Sequence, residues 1–196
     1  MGLPHYFTLL RLFLGPLFLA AYLYHDEMGI SLLLLPYVLL LLMAISELSD
    51  LFDGFFARKK NQVTELGKIL DPMADSIFRL SVFLSFTQGF IQLPLLLVLP
   101  FFYRDMIIST LRTLCAFRGV TLGARLSGKI KAVVQAVAAF AIILLMIPYS
   151  KGLLDASDLQ RISFISVLIA CIYTLYSGVE YIYANRMYIK KALMRP

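Results

Sequence analysis

Residues 50–75 read D-L-F-D-G-F-F-A-R-K-K-N-Q-V-T-E-L-G-K-I-L-D-P-M-A-D, and the surroundings of this stretch decide the fold. The chain is 196 residues long, 60% hydrophobic and 15% charged, with a mean hydropathy of +0.83. That apolar share is well above that of a soluble domain, and one integral membrane domain over residues 1–196 is the natural reading. Carboxylates beside hydrocarbon are costly, and they persist there where they pair, coordinate an ion or line a wet cavity. Four of them, Asp50, Asp53, Asp71 and Asp75, fall in this one stretch.

On helices, Asp50 and Asp53 share one face, as do Asp71 and Asp75. Gly54, Ala57, the basic run Arg58 to Lys60, the polar residues 61–65 and Gly67 lie between the pairs and read as a helix end, a loop and a new helix start. The two acidic faces can then meet across a helical hairpin. Like charges so close repel unless a cation offsets them, and carboxylate ligation without Cys or His suits Mg²⁺ or Mn²⁺ better than zinc. An internal ion-pair network with Arg58 and Arg79 would leave acids uncompensated in a low-dielectric region. The expectation is an oxygen-ligand site for two metal ions. Small residues at Gly54, Ala57 and Gly67 would let a metal-bridged pyrophosphate approach the backbone, with Arg58 to neutralise it.

The spacing D-x2-D-G-x2-A-R-x8-G-x3-D-x3-D is filled at all eight fixed positions by Asp50, Asp53, Gly54, Ala57, Arg58, Gly67, Asp71 and Asp75. Such a coincidence is expected about once in 10¹⁰ start points at average residue usage. The pattern resembles the signature of the CDP-alcohol phosphotransferases. Within that family, G-K-I-L-D-P-M-A-D, Y-R-D-M-I-I-S-T-L-R, S-G-K-I-K and Y-S-G-V-E-Y-I are similar to the members that transfer a phosphatidyl group from CDP-diacylglycerol to glycerol 3-phosphate. The resemblance implies Asp50, Asp53 and Asp71 as metal ligands, Asp75 as ligand or general base, and Gly54, Ala57, Arg58 and Gly67 on the CDP part. It also implies a homodimer. Ser76 stands where these members carry Lys, with Arg79 one turn past Asp75 to supply the charge. Glu47 is an additional acid, expected to pair with Arg79 or Arg104.

The acceptor phosphate is assigned to Arg79, Arg104, Arg112, Arg125, Lys129 and Lys131, which come from the third span, the next two and their connector. Arg104 is the strongest of these, since a guanidinium within a span is a functional candidate by default. His5 and His25 lie outside the motif and read as surface or interfacial side chains. Cys115 and Cys171 lie in apolar runs and imply no disulfide.

The expected architecture is all-α, with six transmembrane helices. Residues 1–11 form a short N-terminal interfacial helix with Arg11 at the headgroup level. Spans follow over 12–24, 31–56, 67–89, 94–117, 129–149 and 164–183, and the chain closes on a basic tail. Of the 18 Lys and Arg residues, 14 fall on one side of such a bundle and only Lys151 and Arg161 on the other. Both termini and the acidic quartet are therefore expected on the cytoplasmic side of a cell membrane. The net charge of +6 then answers to anionic lipid rather than to nucleic acid. Two other readings remain: the same family with inositol phosphate, inositol or serine as acceptor, and a cation transporter. The transporter would carry acids near span centres or broken helices in two halves, and the sequence has neither.

Overall fold

The computed structural model describes the backbone of residues 3–59, 65–119, 122–123 and 125–193, and the side chains of 8–49, 72–119, 122–123 and 125–191. Six helices and no strand occur among the described residues: α1 (Leu3–Leu23), α2 (Leu35–Lys59), α3 (Glu65–Ser85), α4 (Leu95–Phe117), α5 (Leu126–Ser150) and α6 (Ala156–Leu193). The absence of strands follows from long Leu-rich runs with no alternation of apolar and polar residues. Leu126–Ser150 and Ala156–Lys191 are long and apolar enough to cross a membrane, with mean hydropathies of 2.5 and 1.9. Within α1 and α2 the described side chains cover the apolar stretches Thr8–Leu23 and Leu35–Ser49.

Several boundaries differ from expectation, among them the start of α6, which lies at Ala156 and not near Phe164. The interfacial start is not a separate element, because Leu3–Leu23 is one helix that accommodates Pro16 in its interior. Arg11, expected at the headgroup level, is fully buried among the helices, where α3 brings it an acid to meet. The last helix does not stop near Tyr183 but runs 38 residues to Leu193, about 57 Å at the usual helical rise. Its basic end, N-R-M-Y-I-K-K-A-L, contains no Pro or Gly to break it.

Helix α1 packs against α2 and α3, and α6 against α4 and α5; contacts of α3 with α4 and of α5 with α2 and α3 join the two sets. Along α1, Arg11 meets Asp75, Gly15 meets Phe78 and Ser81, and Tyr22 meets Phe86, so α1 and α3 run parallel. Their approach is close because Gly15 has no side chain: a Cβ there would lie 2.9 Å from the Ser81 hydroxyl. Edge-to-face contacts of Phe18 with Phe78 and Phe86, at 6.3 and 6.0 Å, fill the seam beyond it. Each such pair contributes about 1 kcal/mol beyond the burial of its area.

The end of the bundle away from the acidic motif is tied shut. The Tyr22 hydroxyl donates to the Gln88 carbonyl at 3.1 Å and accepts from the Ile91 N–H at 3.4 Å. Gly89 adopts φ +65, and a Cβ on it would press on the Tyr22 ring, so the turn needs glycine on both counts. Gln160 at the start of α6 donates to the Phe90 carbonyl at 2.9 Å, and the Phe90 ring stacks on Tyr149 at 5.2 Å.

Apolar side chains also cover much of the exterior, while a few polar ones are enclosed in the apolar core. Phe13, Leu96, Val133, Val137, Ile172 and Val179 are exposed, whereas Arg11, Lys131, Gln135, Thr174, Ser177 and Asn185 are buried. Gln135 donates to the Thr174 hydroxyl at 3.0 Å, which satisfies the amide between α5 and α6.

Candidate active site

Several charged side chains are buried or half-buried among these helices. They fall into two clusters. In the first, Asp75 on α3 presents one oxygen to Arg79 on the next turn of its own helix, while its other oxygen lies 3.8 Å from Arg11 Nη1 on α1. The i, i+4 spacing of Asp75 and Arg79 puts them on one helical face. Glu47 of α2 approaches Arg79 at 3.7 Å, which settles its expected choice between Arg79 and Arg104. An ion-pair network, weighed above for all four acids, is thus present around Asp75.

The second cluster joins α4 and α5. Lys131 Nζ donates to Asp105 Oδ1 and Oδ2 at 2.8 and 2.9 Å, and Arg104 Nη1 donates to the same Oδ1 at 2.8 Å. Two glycines make room for the Arg104 side chain. A Cβ on Gly128 of α5 would lie 3.2 Å from its Nη2, and one on Gly178 of α6 would lie 3.1 Å from its Cγ. The S-G-K-I-K and Y-S-G-V-E-Y-I segments therefore flank one arginine. Arg79 of the first cluster acts electrostatically on Lys131 of the second.

The remaining candidates for the acceptor phosphate are disposed differently. Arg125 Nη2 contacts Glu180 Oε1 at 2.7 Å, and Ser127 donates to the other oxygen of that carboxylate at 2.6 Å. Arg112 Nε donates to the Tyr181 hydroxyl at 3.1 Å, and that hydroxyl in turn donates to the Gly123 carbonyl at 3.4 Å. These contacts tie the α4–α5 connector to α6. Lys129 is exposed, two residues from buried Lys131 and so on a different face of α5. Arg104 and Lys131 are thus brought together on Asp105, while Arg112 and Arg125 are held by α6.

Asp50, Asp53, Gly54, Ala57 and Arg58 lie in α2 and Gly67 and Asp71 in α3, but their side chains fall outside the described residues. Among the described residues no three acids, histidines or cysteines stand close enough to hold a metal. Sequence reasoning missed Arg11 and Asp105 as members of the site. The available signal for Arg11 was a single guanidinium in a helix of otherwise apolar and uncharged residues.

The sequence model of the CDP-alcohol phosphatidyltransferases matches residues 1–176, nine-tenths of the chain. The chain belongs to that family. Among its relatives, this CDP-alcohol phosphatidyltransferase family member is 31% identical over 190 residues to a Bacillus subtilis (strain 168) protein named CDP-diacylglycerol--glycerol-3-phosphate 3-phosphatidyltransferase, covering 94% of this chain and 95% of that one. It is 30% identical over 189 residues to the Rickettsia felis protein of the same name, covering 95% and 97%. A segment of 87 residues is 47% identical to the Aquifex aeolicus protein of that name and covers 44% of each chain.

Proposed function

We propose that the protein transfers the phosphatidyl group of CDP-diacylglycerol to sn-glycerol 3-phosphate, giving phosphatidylglycerophosphate and CMP. It does so as a six-span, homodimeric protein of the cell membrane with its active site on the cytoplasmic face. The observation that carries the reading is the pair of charged clusters, Asp75 with Arg79 on the helix that bears half of the acidic motif and Arg104 with Lys131 on Asp105. The names of relatives similar over 94% and 95% of the chain support the acceptor.

The donor set Asp50, Asp53, Asp71 and Asp75 is all carboxylate, which fits Mg²⁺ or Mn²⁺ and would hold two ions. Bound there, the ions would supply charge neutralisation of the diphosphate and of departing CMP. Gly54, Ala57, Arg58 and Gly67 take the CDP part. Arg104 and Lys131, with Arg79 beside them, bind the acceptor's phosphate; Arg112, Arg125 and Lys129 add positive charge along its entry route.

Asp75 takes the proton from the acceptor hydroxyl. The freed oxygen attacks the phosphatidyl phosphorus in line, a P–O bond forms to glycerol 3-phosphate, and the bond to the bridging oxygen breaks with CMP as leaving group. Positioning and electrostatics suffice, and no covalent enzyme intermediate is required.

The test incubates purified protein with CDP-diacylglycerol and Mg²⁺ and supplies glycerol 3-phosphate, inositol phosphate, inositol or serine in turn. Phosphatidylglycerophosphate and CMP are expected from glycerol 3-phosphate. A product from one of the other alcohols alone would reassign the acceptor, and no CMP release with any of them would overturn the enzymatic reading.

A further inference from the structure

We infer that Arg11 is a positioning residue that holds the plane of the Asp75 carboxylate for proton transfer, an inference that rests on the reading of Asp75 as the base. Arg11 is the only charged residue among the described side chains of α1, and its relative exposure is 0%. Taking a guanidinium out of water costs several kcal/mol even after relaxation. A fold that places one on an apolar helix and seals it completely has paired it for a purpose beyond cohesion.

The geometry indicates which purpose. Arg79 lies four residues from Asp75 on the same helix and engages one carboxylate oxygen. Among the protein's own contacts, Arg79 alone would leave the carboxylate able to turn about its last side-chain torsion, which is broad. Arg11 comes from a different helix and faces the other oxygen at 3.8 Å, an ion-pair distance, so guanidinium groups from two helices flank the carboxylate. Arg11 and Arg79 each engage further groups as well, which anchors both cations.

The position of Arg11 is itself set by contacts remote from the chemistry. One turn along α1, Gly15 seats against Ser81; beyond it Phe18 meets Phe78, and Tyr22 meets Phe86. This run fixes the register of α1 on α3, and hence the height at which Arg11 meets Asp75. Misplacement of a reacting group by about 1 Å costs on the order of a hundredfold in rate, so a residue of this kind acts on kcat and not on substrate affinity.

The experiment compares Arg11→Gln, Arg11→Lys, Asp75→Asn and the double variant Arg11→Gln/Asp75→Asn with the full chain in detergent, with Mg²⁺ present. Melting temperature and gel-filtration profile verify folding, and calorimetric titration with CDP-diacylglycerol reports donor binding independently of turnover. Arg11→Gln is expected to lower kcat tenfold to a hundredfold, with both KM values and the calorimetric Kd within twofold of wild type. Arg11→Lys should recover part of the loss, and the double variant should be no slower than Asp75→Asn alone. A wild-type kcat in Arg11→Gln, or a loss confined to KM, would overturn the assignment. Should Arg11→Gln fail to fold, Arg11→Lys decides: a reduced kcat at unchanged KM supports the role, and an unchanged kcat overturns it. Wild-type turnover by Asp75→Asn would instead remove Asp75 as the base, a result distinct from failure of the Arg11 assignment.

Discussion

Asp105 on α4 holds the Lys131 ammonium of α5 with both of its oxygens, at 2.8 and 2.9 Å. The same carboxylate takes a third hydrogen bond from Arg104, so one acid organises two buried cations on two helices. Removing the acid alone leaves both cations uncompensated, whereas removing a partner along with it does not. Asp105→Asn is therefore expected to destabilise the protein by about 3 kcal/mol. Asp105→Asn/Lys131→Met should lose clearly less than the two single variants summed, with coupling of about 1 kcal/mol or more. Thermal or denaturant unfolding in detergent measures both.

If Arg104 and Lys131 bind the acceptor's phosphate, their loss acts on one substrate only. A charge-assisted hydrogen bond contributes about 1.5–3 kcal/mol, or roughly tenfold to a hundredfold in affinity. Lys131→Met and Arg104→Gln should therefore raise KM for glycerol 3-phosphate by about that factor while KM for CDP-diacylglycerol changes little. Steady-state kinetics with each substrate varied separately reads the difference.

The two glycines beside Arg104 differ in what a side chain would meet. At Gly178 the obstacle is Cγ, close to the α4 backbone, whereas at Gly128 it is the terminal Nη2 of a long side chain that can shift. Gly178→Leu should overpack the α4–α6 contact, lower stability by about 2 kcal/mol and abolish most activity. Gly128→Ala should cost little in melting temperature but should raise KM for glycerol 3-phosphate, because it moves the guanidinium. Equal effects of the two on stability would show that Arg104 is not clamped as described.

Chelation provides a test of the acidic motif. EDTA should abolish CMP release, and Mg²⁺ or Mn²⁺ should restore it, since the donor set is oxygen alone. Asp53→Asn and Asp71→Asn should each lower kcat by about a thousandfold and weaken metal-dependent binding of CDP-diacylglycerol. Asp75→Asn should lose turnover while retaining most of that binding. Titration calorimetry with and without metal separates the two behaviours.

Tyr181 carries a further expectation for the connector between α4 and α5. Its hydroxyl accepts from Arg112 and donates to the Gly123 carbonyl, joining α6 to α4 and to that segment. Tyr181→Phe removes both bonds and should cost about 1–2 kcal/mol of stability, with a smaller effect on kcat than any change at Asp75. Unfolding and initial-rate measurements on the same preparation compare the two.

The sequence by itself determined an all-helical chain with an apolar exterior, the acidic motif on two successive helices, and membership of a family whose motif it carries intact. These are local properties: helical periodicity places Asp75 and Arg79 on one face, and composition decides what the surroundings of a carboxylate cost. Only the tertiary structure decided which faces meet. Arg11 read as a headgroup anchor because nothing in residues 1–11 discloses that α1 lies against α3 in parallel, in a register set by Gly15 and Phe18. Six basic residues read as one phosphate pocket, yet Arg112 and Arg125 are held by Tyr181 and Glu180, more than fifty residues further along the chain. The partner of a buried charge is selected by helix packing across such separations, and the spacing of residues along one helix does not encode it.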